Sequence, residues 1–493
     1  MKASTPNRCP ATLRKLRPAV LAMAIAFPFS SVLTHADELS DLKAQIQLLN
    51  KRLADIEANQ AAARAAPAPV AAAAPQQASV PEALKTDQQG SPVETSVNPV
   101  TLYSNSNTSL RMYGLVEATI SHANNQAKGG ATATGFQTAW FSGNRLGFDA
   151  EHALGFGKDW GMPDLKVISK LETEFELPTG NSDSPGVLFN RDAWLGLYSD
   201  SLGKITLGRQ NTLTRDFTAN WGDPYGSAET TLKEGGYSNV NNFKQLIFYS
   251  ASPTGTRNNS GIEWKKKLDE HWVVGLGYAF GSEGNGGSSP GGGGALPGDQ
   301  SEGSNQSVSV AYNKLELGDA KLNFNVSYDR GKKADLIDQA VLVGGNVVYG
   351  PFRWNAGYIH YTGQQGVNNS AGTRTDTPWT TSFSYLWDKT EFDLGYQQIK
   401  GKHAGFSGGG TTLNPFFGNA SGVTTVADGG KNSTYGSVIY HADKQTDFYV
   451  AADYFKVTGN WVVGDAQGNG ALFGTGQAHN NETEVATGVR FKF

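Results

Sequence analysis

From residue 109 to the end of the chain, apolar and polar side chains alternate with a period of two, segment after segment. In Lys321 to Asp329, Leu322, Phe324, Val326 and Tyr328 share one face, while Lys321, Asn323, Asn325, Ser327 and Asp329 share the other. Successive side chains of an extended strand point to opposite faces, so such a segment has one greasy side and one wet side. The same division sets Phe352, Trp354, Ala356 and Tyr358 against Arg353, Asn355 and Gly357, and Phe392, Leu394 and Tyr396 against Glu391, Asp393 and Gln397. Only 38% of the chain is hydrophobic, with 60 glycines and 11% aromatic residues. No run of eighteen apolar residues follows residue 36, so no segment reads as a transmembrane helix. A closed sheet satisfies every backbone group in lipid while turning alternate residues to water, and the fold expected is an all-β, antiparallel transmembrane barrel.

A soluble β-sandwich also alternates, and connection lengths separate the two. Very short turns stand at Leu268 to His271, Gly318 to Lys321, Gly350 to Phe352, Asp388 to Thr390 and His441 to Gln445. Gly-rich connections interleave with them at 282 to 304, 331 to 336, 363 to 376, 401 to 431 and 458 to 481. Short and long thus alternate, as expected when one rim has tight turns and the other has external loops. A direct count gives seventeen strands, which cannot close an antiparallel barrel. Treating Gln245 to Ser252 and Gly261 to Leu268 as one descending excursion restores the parity and predicts sixteen. Eighteen follows if the 131 to 142 segment adds a hairpin.

Residues 1 to 36 hold Lys2, Arg8, Arg14, Lys15 and Arg17 with no acid, then the apolar stretch Ala19 to Phe29, then Thr34-His35-Ala36. That is a signal peptide by its three regions. Removing its five basic residues from the 41 Lys+Arg leaves 36 against 45 Asp+Glu, a net of about −9, which argues against nucleic acid as a partner. Cys9, the single cysteine, leaves with it. Over residues 37 to 60, Leu39, Leu42, Ile46, Leu49, Leu53 and Ile56 follow a 3,4,3,4,3 spacing, the seam of a three-heptad coiled coil whose partners are copies of itself. An amphipathic helix lying on the barrel or membrane is the alternative reading. Residues 61 to 108 open with an Ala/Pro/Gln-rich stretch and read as a linker, leaving 109 to 493 for the barrel.

Particular words carry a family resemblance. They are Met112-Tyr113-Gly114-Leu115, Asn144-Arg145-Leu146-Gly147-Phe148, Leu188-Phe189-Asn190-Arg191, Thr206-Leu207-Gly208-Arg209-Gln210, Asp223-Pro224-Tyr225-Gly226-Ser227 and Tyr249-Ser250-Ala251-Ser252-Pro253. In this order, and with Gly488-Val489-Arg490-Phe491-Lys492-Phe493 at the end, they resemble the general bacterial porins of Gram-negative bacteria, above all the β-proteobacterial group. The final strand closing on Phe493 is similar to the terminal signal read by outer-membrane assembly machinery. The coiled coil and linker look like the extension of dicarboxylate-type porins.

The resemblance implies a homotrimeric outer-membrane channel for small polar solutes, set among membrane lipid and lipopolysaccharide, with an N-terminal extension in the periplasm. Periplasmic contacts through the coiled coil belong to the same expectation. The resemblance also implies that the third external connection, about Asn211 to Asn242, folds into the lumen as a constriction loop. On it stand Asp216, Asp223, Glu229, Lys233 and Glu234. Arg145 and Arg191 map by motif onto the facing basic wall, with Arg111 and Arg209 as neighbours and Lys244 or Arg257 as the remaining basic position. Opposed charges across a narrow wet passage would order water and orient dipolar solutes. The competing reading is that these arginines pair with neighbouring lumen acids, namely Glu117, Asp149, Glu151, Glu172 and Glu174. Kinship with dicarboxylate-type porins would make small organic anions the preferred solute. No metal-ligand spacing, cofactor motif or catalytic constellation is expected. Gly405-Phe406-Ser407-Gly408-Gly409 matches a nucleophile elbow only in letters, since it lies in a Gly-rich loop. An outer-membrane enzyme is the remote alternative. A trimeric adhesin would spend only a few strands per chain.

Overall fold

The computed structural model describes Lys51 and residues 99 to 493, apart from 128–129, 138, 219–248, 250, 253–255, 281–302, 334–335, 408–409, 412–424 and 464–479. The leader, the heptad segment apart from Lys51, which is helical, and the linker to residue 98 lie outside the described residues.

Among the described residues, sixteen antiparallel staves form the wall. Staves 1 to 4 are Thr108–Ala127, Ala131–Gln137 continued by Asn144–Ala153, Lys166–Phe175 and Asp192–Ser199. Staves 5 to 8 are Gly203–Asn211, Arg257–Lys267, Trp272–Ala279 and Asn305–Leu317. Staves 9 to 12 are Ala320–Lys333, Leu336–Tyr349, Phe352–Gln365 and Gly372–Asp376 continued by Trp379–Trp387. Staves 13 to 16 are Thr390–Ser407, Thr425–His441, Thr446–Gly459 and Asn481–Lys492. Each pairs with its predecessor, and stave 16 returns to stave 1 from Leu115↔Lys492 to Ala123↔Glu484, which closes the barrel.

The expected count of sixteen is met and the eighteen-strand alternative falls. Residues 131–137 pair with Thr119 to Ala127 and residues 144–153 with Thr108 to Leu115, so both are parts of one stave. The merged excursion also resolves: Gly261 to Lys267 lies in stave 6, while Tyr249, Ala251 and Ser252 are buried and outside any strand. Residues 245–248 lie outside the described residues. One expected long connection is corrected. At 331 to 336 the strands run on as a hairpin, with Lys333 opposite Leu336, because the pairing continues beyond the Gly-rich punctuation.

The two faces of the wall invert the rule for soluble proteins. On stave 9, Phe324 and Val326 are 45% and 47% exposed, while Asn325 between them and Ser327 and Asp329 beyond them are buried. Lipid takes the outer face and the filled lumen the inner one. The tight rim turns are fastened by carboxylates. Asp269 Oδ1 accepts the backbone N–H groups of His271 and Trp272 at 2.8 and 2.7 Å, and Asp443 Oδ1 those of Gln445 and Thr446 at 2.8 and 2.7 Å. These donors favour the ionised form, so both carboxyls titrate below the ordinary aspartate value.

Glycines in the family words make room for rings. Tyr113 crosses stave 2 over Gly147, where any Cβ would collide with its ring, and its hydroxyl donates to Glu172 on stave 3 at 2.7 Å. Gly114 lies under the ring of Phe493, and the two residues exchange backbone hydrogen bonds at 2.8 and 3.0 Å. Below this pair, Thr108 to Tyr113 run on past the end of stave 16. Val100–Ser104, inside the segment read as linker, pairs there with Ser109 to Met112 and covers the exposed edge. Deleting residues 100–104 is expected to destabilise the barrel by about 2 kcal/mol, from cross-strand contributions of a few tenths to 1 kcal/mol each. The check is a lower temperature for conversion from the compact to the unfolded band on electrophoresis.

Candidate functional site

One set of basic side chains of the lumen stands on or beside staves 1 to 6, held by period-two alternation on the inner face. Arg191, just before stave 4, bonds Glu172 through Nε and Glu174 through Nη1. Lys170 Nζ lies 3.0 Å from Asp192 Oδ2 and 3.6 Å from Glu172 Oε2. Nearer the stave starts, Arg111 Nε meets Asp149 Oδ1 at 2.5 Å and Nη2 meets Glu151 Oε1 at 3.2 Å, while Lys166 Nζ reaches Glu151 Oε2 at 2.7 Å. Arg111 and Arg191 therefore pair with wall acids. Opposite charges across neighbouring strands are needed here because a buried unpaired charge is costly.

Arg145 is arranged differently. Its Nε donates to the Gly143 carbonyl at 3.2 Å and its Nη2 to Ser142 Oγ, both in the segment that interrupts stave 2. Arg209 is spent on bracing: Nε and Nη2 both donate to the Asn190 carbonyl, at 2.8 and 2.6 Å, fixing the residue before Arg191.

The described start of the connection between staves 5 and 6 lies against the inner wall. Its helix α1, Leu213–Thr218, rests Leu213 and Phe217 on Val273 and Ala311 of the inner wall. Gly275 makes this approach feasible, since a Cβ there would stand 2.6 Å from Leu213 Cδ1 and 3.1 Å from Phe217 Cε2. Asp216 of α1 bonds Lys265 of stave 6 and accepts from Asn211 Nδ2 at 2.9 Å. On the returning arm, the Tyr249 hydroxyl donates to Asp376 Oδ2 at 2.8 Å, and Arg374 grips the same carboxylate from Nε and Nη2. Ser252 Oγ donates to Asn258 Oδ1 at 2.8 Å on stave 6. The loop is thus tied at both ends, to staves 6 and 12. Asp223, Glu229, Lys233 and Glu234, with Lys244, lie outside the described residues.

The structure gathers further cations, of which the motif reading had named Arg257 alone, as one choice for the remaining basic position. Arg215 on α1 donates from Nη1 to Thr256 Oγ1 at 2.9 Å, and Arg257 at the start of stave 6 lies within electrostatic range of Arg191 and Arg215. Lys170, Lys204 and Lys265 share a polar recess with Asp192 and Asp216. Period two would have placed the lysines on the inner face. For Arg215 the available signal was Thr212 ahead of Leu213 and Phe217 at an i,i+4 spacing, with Thr212 Oγ1 accepting the Arg215 N–H at 3.2 Å. Among the described residues, no group of three or more His, Cys, Asp and Glu is placed to hold a metal ion.

The sequence profile of the Gram-negative porin family matches residues 61–460. An outer membrane porin protein of Bordetella pertussis is 27% identical over 184 residues, which cover 35% of this chain and 43% of that relative's length. Among solved structures, the anion-selective porin from Comamonas acidovorans superposes with a TM-score of 0.55 at 18% identity, covering 78% of this chain and 100% of that one. OmpT of Vibrio cholerae gives 0.50 at 17% identity, with 80% and 100% covered. At such identities the two structures share the fold.

Seating α1 on Gly275 makes that position intolerant of side chains. Gly275→Val is expected to cost about 1 to 3 kcal/mol by overpacking. It should also speed hydrogen exchange in Leu213–Thr218 relative to the parent, as measured by mass spectrometry.

Proposed function

This chain belongs to the Gram-negative porin family, as a multi-pass barrel of the outer membrane, and on that premise we propose that it is a water-filled channel for passive diffusion of small hydrophilic solutes. The observation that carries the reading is a closed wall with an exposed apolar exterior and a charged interior, into which the connection between staves 5 and 6 folds from one side. A static wall of this kind sorts solutes by size, charge and dipole, without a chemical step.

Small organic anions, dicarboxylates among them, are the proposed preference. Arg145, Arg191 and Arg257 stand on or beside staves 2 to 6 and Arg215 stands on α1, and a fold neighbour is named as anion-selective. Asp216, Asp223, Glu229, Lys233 and Glu234 are assigned to the loop side of the constriction, and Arg111 and Arg209 to the support of the basic wall. In planar bilayers under a salt gradient, the purified protein should give discrete channels whose reversal potential favours anions. Arg191→Ala, which leaves Glu172 and Glu174 with less positive charge beside them, should lower the anion-to-cation permeability ratio roughly two-fold or more. Absence of discrete channels would sink the channel reading, and an unchanged ratio would sink the anion reading alone.

We also propose a homotrimer, set among lipid and lipopolysaccharide, with the heptads of residues 37 to 60 associating between copies in the periplasm. The outer face supports it by its asymmetry. Staves 10 to 12 expose Tyr349, Phe352, Trp354, Trp379, Tyr385 and Trp387, the ring types that settle at a membrane boundary. The large exposed side chains of staves 3 to 5 are Leu171, Leu195, Leu197 and Leu207, which suit packing against a second copy. Leu195→Trp should shift the native electrophoretic band towards monomer, whereas Val343→Trp on stave 10 should leave it unmoved. Equal behaviour of the two variants would count against this face.

A further inference from the structure

Between the two parts of stave 2 the chain leaves the wall and turns inward. Ala139, Trp140, Phe141 and Ser142 are all buried, and Trp140 and Phe141 pack with Ile439, Tyr449, Ala451 and Ala486 on staves 14, 15 and 16. To reach them from stave 2, the segment crosses the inner faces of staves 1 and 16. The Phe141 ring meets Tyr449 edge-on at 4.7 Å, and the Arg490 guanidinium lies 5.1 Å from the Phe141 centroid.

One carboxylate organises this detour. Glu117 of stave 1, itself fully buried, accepts the backbone N–H groups of Trp140 and Phe141 on Oε1 at 2.7 and 2.9 Å, and that of Ser142 on Oε2 at 3.3 Å. Tyr449 Oη donates to Oε1 at 2.9 Å and Arg490 Nε to Oε2 at 3.2 Å. An ionised carboxylate offers about four acceptor positions, whereas the isosteric amide offers one acceptor oxygen and would turn a donor NH₂ towards these N–H groups. The same segment presents the Ser142 Oγ and Gly143 carbonyl that receive Arg145.

We propose that residues 139–143 are a second constriction element of this pore, facing the one built on α1, and that Glu117 is the positioning residue that sets the place of Arg145 in the passage. The proposal rests on the channel reading above. Its geometric core is the placement around the ring of sixteen staves. The 139–143 segment covers staves 14 to 16, and α1 lies against Val273 on stave 7 and Ala311 on stave 8, about half a turn away. The lumen is narrowed from two opposite walls. Charge enters from both, through Arg145 on one side and Arg215 and Asp216 on the other. Glu117 does not meet the solute. It acts through the segment it holds.

The test uses the full-length protein in planar bilayers in potassium chloride, with folding confirmed beforehand by the heat-resistant electrophoretic band. Phe141→Ala removes bulk and should raise single-channel conductance about 1.3-fold or more. Ser142→Ala removes one acceptor of Arg145 at little change in volume. It should move the reversal potential in a salt gradient while leaving conductance within error, a separation that general loosening of the barrel would not produce. Glu117→Gln should do both, and Glu117→Asp should recover part of the parent behaviour. If Glu117→Gln does not fold, the two milder variants still decide. Parent-like conductance in Phe141→Ala together with a parent-like reversal potential in Ser142→Ala overturns the second constriction while leaving the channel reading intact. Absence of discrete channels in the parent overturns both.

Discussion

Everything in this structure depends on the first and last staves finding each other. An open sheet in lipid would leave two rows of unpaired backbone groups, each costing several kcal/mol, so closure is the condition for the wall to exist at all. The seam is secured at several levels. Backbone pairing joins Leu115 through Ala123 to Glu484 through Lys492. Inside it, Glu117 of stave 1 meets Arg490 of stave 16. Arg490 and Lys492 extend the network to Asp447 on stave 15, and His441 of stave 14 bridges Asp447 and Glu391 at 2.8 and 3.0 Å. Outside, the Phe493 ring sits on Gly114, and Val100–Ser104 occupies the edge that stave 16 leaves bare. A staggered barrel cannot make all its strand ends coincide, and this short strand is how the chain manages the remainder.

Much of the fold was legible from two local signals. Alternation named the wall and its faces, and the parity of short and long connections corrected seventeen strands to sixteen. Both signals work because a membrane wall imposes one rule on every segment. They fail where the chain leaves the wall. Residues 139–143 carry Trp140 and Phe141 in succession, a pattern that period two cannot assign to either face. Their destination is set by a carboxylate more than twenty residues earlier. Tyr249 belonged to a motif, yet its role is to bond Asp376 across the lumen, a long-range contact with no local trace. The family words proved legible in a different way. Tyr113, Gly114 and Gly147 read as a signature in the sequence, and as ring-over-glycine packing in the structure.

The charge pattern was legible in composition and less so in pairing. Arg111 and Arg191 share one inner face with acids on neighbouring staves, so much of the lumen's positive charge is already balanced at short range. The field inside the lumen is the residue of that balance. It is shaped by which guanidinium bonds a carboxylate and which, like Arg145, rests on a carbonyl and a hydroxyl. Counting charges along the chain cannot predict that distinction, because it depends on where an inward segment delivers its neutral acceptors.

The inverted burial along each stave has a last consequence. Phe324 and Val326 answer to lipid, while Asn325, Ser327 and Asp329, interleaved with them, answer to the packing of the inner wall. Two messages with different readers are thus written in alternate letters of one text. A change in one set leaves the other nearly untouched, so the passage can be retuned over generations while the bilayer goes on recognising the same exterior. The period of two is a grammar for folding, and it also keeps what this wall does separable from where it resides.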